Sequence, residues 1–211
     1  MVRKTHLGNA YVWTGAAFVL FVLISIIVKV GGASEFDSSV ISVVQGWENP
    51  GLTHAMEWFS WLGSTLVVIV IAVLILIFLA FVLGHRKELL LFVAVMGGAP
   101  LLNVILKSLF QRERPVIHRL AEEGGFSFPS GHSMAAFALY GILTYLLWRH
   151  VRSRTGRTLL VAIASLIVIS IGISRIYLGV HYPSDILGGY SASGVWLGLM
   201  IGAFRKFIRP S

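Results

Sequence analysis

The sequence predicts an all-α fold, a polytopic membrane bundle of six transmembrane helices with both termini on the cytoplasmic side. Two observations carry this. Apolar segments recur at roughly residues 11–30, 62–83, 89–106, 133–148, 158–174 and 186–204, and a helix needs about 20 such residues, at least about 17, to cross the hydrocarbon core. Lysines and arginines collect in alternate connections between those segments, which is how orientation in a membrane is encoded. The balance of residue types agrees. The chain is 56% hydrophobic and 12% charged, against about 25% charged in an ordinary soluble domain, and its mean hydropathy is +0.84.

The first segment follows Arg3 and Lys4. With Gly31-Gly32-Ala33 behind it, it resembles a cleaved secretory leader. It is long for a leader and contains Lys29, so residues 1–33 are read as a retained span. The second and third segments are clear apolar runs, and Pro100 is expected to kink the third. The fourth is short and gains length by starting inside Pro129-Ser130-Gly131-His132. The fifth carries Ser165, Ser170 and Ser174, whose hydroxyls a helix can satisfy internally. In the sixth, Gly194, Gly198 and Gly202 fall on one face and invite close helix packing. Packing inside the bundle is preferred to dimerisation there, and the oligomeric state stays open. Strands of a membrane barrel would alternate over about 10 residues, and these runs do not.

Placing the N-terminus inside leaves Arg3, Lys4, Arg86, Lys87, Arg149, Arg152, Arg154, Arg157, Arg205, Lys206 and Arg209 in cytoplasmic stretches. Lys29, Lys107, Arg112, Arg114, Arg119 and Arg175 remain at the outer side. The outer loop 31–61 has neither Lys nor Arg and holds Trp47, Trp58, Phe59 and Trp61, rings that collect at headgroup level. Residues 52–61 are expected to form a short interfacial helix that anchors the chain. Residues 1–211 are read as one membrane-embedded domain.

Composition also excludes several functions. The net charge of +8 lies in clusters between apolar runs, not in a basic stripe interleaved with aromatics, so nucleic acid is not an expected partner. The absence of cysteine removes disulfides, thiolate nucleophiles and thiolate metal sites.

Three short stretches hold the remaining chemistry: Lys107-x6-Arg114-Pro115, Pro129-Ser130-Gly131-His132, and Ser174-Arg175-x5-His181-x3-Asp185. The first two lie between segments three and four, the third between five and six. Connections separated by two crossings share a side, so all three can converge, at the extracytoplasmic face. Lys107, Arg114 and Arg175 are cations suited to phosphate oxygens. Ser130 fits a helix N-cap, Gly131 permits close backbone approach, and the helix start favours an anion. Asp185 stands four residues after His181 and can accept from its Nδ1–H, leaving Nε2 as a nucleophile. His132 can then serve as general acid. Arg112 and Arg119 are read as headgroup anchors, and His6, His54, His85, His118 and His150 as surface residues. Carboxylates are too few for the multi-acid metal sites of metal-assisted phosphatases, so no metal or other cofactor is expected.

With these positions the chain resembles the type 2 phosphatidic acid phosphatases, which share a site pattern with vanadium haloperoxidases and glucose-6-phosphatase. The pattern is complete here and covers roughly residues 100–190. The resemblance implies a membrane lipid phosphatase in which Lys107, Arg114, Ser130, Gly131 and Arg175 hold phosphate. His181 would become a phosphohistidine, His132 would act as acid, and Asp185 would position His181, without a metal. The implied substrates are phosphatidylglycerol phosphate, phosphatidic acid, diacylglycerol pyrophosphate or undecaprenyl pyrophosphate. The alternatives are a phosphotransferase using the same intermediate, or a non-catalytic lipid-phosphate binder or transporter.

Overall fold

The computed structural model describes residues 5–82, 86–116 and 118–208. Arg3, Lys4, His85 and Arg209, used in the sequence reading, lie outside the described residues. Among the described residues every regular element is helical: α1 (Thr5–Lys29), α2 (Ser34–Gln45), α3 (Pro50–Leu62), α4 (Thr65–Ile77) continued by a π-helical turn (Phe78–Val82), α5 (Arg86–Phe110), α6 (Gly131–Leu147), α7 (Arg154–Tyr177) and α8 (Pro183–Ile208).

Four of these, α1, α5, α7 and α8, are long and apolar enough to cross a membrane. α3 and the α4–π-turn unit pass that test together but bend by 51°. α6 is apolar but has 17 residues. Large apolar side chains stay exposed around the outside, among them Phe18, Leu66, Phe81, Leu101 and Leu166. A soluble monomer rarely leaves so much contiguous apolar surface in water, so this is a multi-pass membrane protein with a lipid-facing exterior.

Local chemistry sets the helix ends. Asn49 caps α3 by accepting from Leu52 N at 2.9 Å, and Pro50 takes the first helical position, where its missing N–H costs nothing. The bend after α3 falls at Gly63-Ser64. A Cβ at Gly63 would lie 2.6 Å from Ile171 and 3.4 Å from the His132 ring, so glycine lets this corner press against α6 and α7. Ser153 caps α7 by accepting from Gly156 N at 3.0 Å. Pro183 opens α8.

Phe92 and Val95 of α5 and Leu139 and Ile142 of α6 are fully buried and form the central core. The glycine face of α8 packs on α1: Gly194 meets Ala17, Gly198 meets Thr14 and Gly202 meets Tyr11. A second cluster, with Tyr177, Leu178, Val180, Ile186 and Val44, lies beneath the α7–α8 turn. α2 was not expected from the sequence. It rests on α7 and α8, with Asp37 and Val44 buried. Loop 31–61 is therefore two helices folded onto the bundle, and a helix does cover the expected residues 52–61, as the larger part of α3.

Candidate active site

Helix direction gathers the three motif stretches at one end of the bundle. Lys107 and Arg175 occupy the last turns of α5 and α7. Ser130 is the N-cap of α6, its hydroxyl accepting from Ser133 N at 3.4 Å, and Gly131 and His132 open that helix. His181 lies in the turn before α8, and Asp185 in the first turn of α8. Ser130 N donates to the Asp185 carbonyl at 3.1 Å, tying the two helix starts together. Asn103 donates to the Pro129 carbonyl at 3.0 Å, which fixes the α6 turn against α5.

His181 is fully buried. Its Nδ1 is 3.3 Å from Asp185 Oδ2, and its Nε2 is 3.1 Å from Arg114 Nη1. An ionised carboxylate only accepts and a guanidinium only donates. Those fixed roles assign the tautomer, with Nδ1–H donating to Asp185 and the Nε2 lone pair facing Arg114. Burial pushes the His181 pKa down to about 4, against the opposing pull of the Asp185 hydrogen bond and charge. Neighbouring Arg114 and Arg175 add to the lowering. The imidazole is thus neutral near pH 7.

Arg114 is buried and stitches its own loop. Its Nε donates to the Gly125 carbonyl at 3.0 Å, its Nη2 to Gly124 at 3.0 Å, and its Nη1 to Val180 at 2.9 Å. Arg175 is also buried, and its Nε meets no hydrogen-bond acceptor among the described residues. The other end of its guanidinium pairs with Glu123 and Ser60. Glu123 reaches Arg114 at 3.4 Å and His132 Nδ1 at 3.9 Å as well. Its carboxylate thus sits among the groups that would hold a phosphate.

A groove of about 530 Å³ leads away from this cluster. Lys107, Glu123, Gly131 and His132 line its polar end. Val73 and Leu76 of α4 and Phe92 and Met96 of α5 line the rest. One cavity therefore joins the Lys107 cation, at the edge of the cluster, to an apolar channel, the shape that a molecule with a phosphate head and a hydrocarbon tail requires. Among the described residues no three His, Cys, Asp or Glu side chains gather as a metal cage.

The headgroup-anchor reading of Arg112 is corrected. Its Nη1 donates to Asp185 Oδ1 at 2.7 Å and its Nη2 to Asp37 Oδ2 at 2.8 Å. It is a partly buried link between two buried carboxylates, because acids far away in sequence fold onto it. Arg119 instead donates to the carbonyl of Pro115, four residues back in the same loop. Sequence reasoning also missed Asp37, Ser60, Glu123 and Ser184. The available signal was scarcity: with nine carboxylates in the chain, each acid beside a basic motif merited a question.

Residues 88–209 match the PAP2 superfamily. The chain is 32% identical to phosphatidylglycerophosphatase B of Bacillus subtilis (strain 168), over 91% of this chain and 94% of that one. The fold is similar to the crystal structure of the transmembrane PAP2-type phosphatidylglycerolphosphate phosphatase from Bacillus subtilis. The TM-score there is 0.80 at 31% identity, covering 93% of this chain and 97% of that one. It is also similar to Aquifex aeolicus LpxE, with a TM-score of 0.63 at 26% identity, covering 80% and 94%.

Proposed function

We propose, from the premise that this chain belongs to the PAP2 superfamily and is a membrane lipid phosphatase, that it hydrolyses a lipid phosphate monoester through a phosphohistidine on His181, without a metal. The observation that carries the reading is the placement of His181. Asp185 holds one ring nitrogen at 3.3 Å, and the lone pair on the other faces the Arg114 cation at 3.1 Å.

The steps follow from these groups. The phosphate head enters the cluster of Lys107, Arg114 and Arg175, the Ser130-Gly131 helix start contributes N–H groups, and the tail lies in the groove between α4 and α5. His181 Nε2 attacks phosphorus, forming a P–N bond as the ester P–O bond breaks. His132 gives its proton to the departing alkoxide. Asp185 stabilises the positive charge that develops on the His181 ring. His132, now neutral, takes a proton from water, whose oxygen attacks phosphorus. The P–N bond breaks, its electron pair returns to Nε2, and inorganic phosphate leaves. The cations balance the charge on the equatorial oxygens in both steps.

Phosphatidylglycerol phosphate is the first substrate to test, because the relative matched over most of its length carries that activity in its name. The proposed topology has six spans, α1, α4 with its π turn, α5, the short α6, α7 and α8, with α3 lying at the interface before the second. Both termini are cytoplasmic and the site faces the other side. Supporting this, Arg149, Arg152, Arg154, Arg157, Arg205 and Lys206 all lie at the end of the bundle opposite the site. The test is phosphate release from phosphatidylglycerol phosphate in detergent with EDTA present. Full turnover is expected. Activity lost with EDTA and restored by Mg²⁺ would overturn the metal-free mechanism.

A further inference from the structure

We propose that Asp37 and Arg112, with Ser184 between them, are positioning residues for the reaction. They lock the Asp185 carboxylate, and through it His181, into the attacking geometry. The inference rests on the phosphohistidine reading above.

Asp185 is fully buried, and both of its oxygens are engaged. Oδ2 accepts from the His181 ring and from Tyr182 N at 2.9 Å. Oδ1 accepts from Arg112 Nη1 at 2.7 Å. Without that second contact the carboxylate is free to turn away from His181, since a buried charge with an unpaired oxygen is costly and will seek another partner. Arg112 is itself held on three sides. Its guanidinium lies 4.0 Å above the Tyr182 ring, Nη1 also donates to Ser184 Oγ at 2.7 Å, and Nη2 donates to Asp37 at 2.8 Å. Asp37 is 2% exposed. It accepts from Ser184 N at 2.9 Å and from Ser184 Oγ at 2.7 Å, so it also caps the start of α8, the helix that bears Asp185.

The chain of contacts runs Asp37, Arg112, Asp185, His181. Asp37 comes from α2, so a helix outside all three motifs reaches the reacting nitrogen through two side chains. Simple stability is a poor explanation of this arrangement. A buried charge network is often matched or surpassed by apolar packing of the same shape. What such a network supplies, and apolar contacts do not, is a fixed carboxylate orientation. The same logic applies wherever a third group orients a catalytic histidine, extended here by two further links, Arg112 and Asp37.

The test is the single-turnover rate constant for phosphoryl transfer to the enzyme, measured in detergent for D37N, R112M, R112K, S184A and the double variant D37N/R112M. A loss of folded protein lowers the amplitude of that phase and leaves its rate constant alone, whereas mispositioning lowers the rate constant. We expect D37N to slow the step about 10-fold and R112M about 100-fold, with KM changed by no more than about 2-fold. R112K should fall between wild type and R112M, since a lysine point charge cannot bridge both carboxylates as a planar fork does. The double variant should be no slower than R112M, because linked residues act as one unit. A D37N enzyme with the wild-type rate constant, or losses that multiply in the double variant, would overturn the inference. If D37N does not fold, S184A decides it: a slowing of about 3-fold or more is expected, and an unchanged rate constant overturns it. H181A, run in parallel, separates the two levels. If H181A is inactive and D37N is normal, only the positioning role fails. If H181A remains active, the phosphohistidine reading itself fails.

Discussion

Arg114 and His181 meet at 3.1 Å, guanidinium Nη1 to imidazole Nε2. A histidine beside a fixed cation is discouraged from taking a second proton, and a donor facing Nε2 marks where its lone pair points. The same cation is placed to move its hydrogen bond to a phosphate oxygen as that lone pair attacks. Asp185 on the far side of the ring prevents the imidazole from rotating away.

The first prediction concerns pH. With its pKa lowered to about 4, His181 is neutral at any pH above that value, whereas an unperturbed histidine would be roughly nine-tenths protonated at pH 5.5. The limb of kcat/KM that reports protonation of the nucleophile, corrected for ionisation of the substrate, should therefore lie near pH 4. Activity is kept as pH falls through 6.5 and lost as it falls through 4. A limb at 6.5 would show that His181 is not neutralised by burial.

His132 should matter in proportion to the leaving group. For a lipid phosphate, whose leaving alkoxide is basic, H132A should lower kcat by about 100-fold to 10,000-fold. For p-nitrophenyl phosphate, whose leaving group needs little protonation, the loss should be markedly smaller. Steady-state kinetics on the two substrates checks this, and equal losses would remove His132 from the role of acid.

Much of this site is readable from the sequence, for reasons of distance. Lys107, His132, Arg175 and Asp185 are fixed by helix ends, with Arg114 and His181 within a few residues of them, and helix ends follow from where apolar runs stop. The six apolar segments likewise fall within α1, α4 with its π turn, and α5 to α8, with slight overruns at a few ends. Asp37 was hidden because its partner Ser184 is 147 residues away, and no local period encodes that. Arg112 was misjudged for the same cause: alone it is a surface cation, and only a folded α2 makes it a partly buried bridge. Glu123 sits in an irregular loop whose path depends on Arg114 donating to its carbonyls, which sequence spacing does not reveal. Gly63 likewise became informative only when its corner was seen against His132.

Glu123 should compete with anions. Its carboxylate pairs with Arg175 and lies 3.4 Å from Arg114, so an entering phosphate must displace it. E123Q should strengthen inhibition by vanadate, a mimic of the pentacoordinate phosphoryl state, by about 3-fold to 10-fold, as expected for loss of one partly exposed competing charge. Weaker vanadate inhibition in E123Q would show that the carboxylate helps to hold the ligand.

Gly198 should be intolerant of branching. A Cβ there would collide with Thr14 of α1, and overpacking costs about 1–3 kcal/mol. G198V should lower the thermal unfolding midpoint in detergent while leaving kcat near wild type at low temperature. An unchanged midpoint would show that α1 and α8 pack less closely than described.

The central claim is that His181 carries the phosphoryl group, and rapid-quench trapping with radiolabelled lipid phosphate tests it most directly. In EDTA, the phosphoenzyme should be labile to acid and stable to alkali, map to His181, and be absent from H181A, which should release no phosphate. A phosphoryl group on another residue, or an H181A enzyme that still turns over, would contradict it.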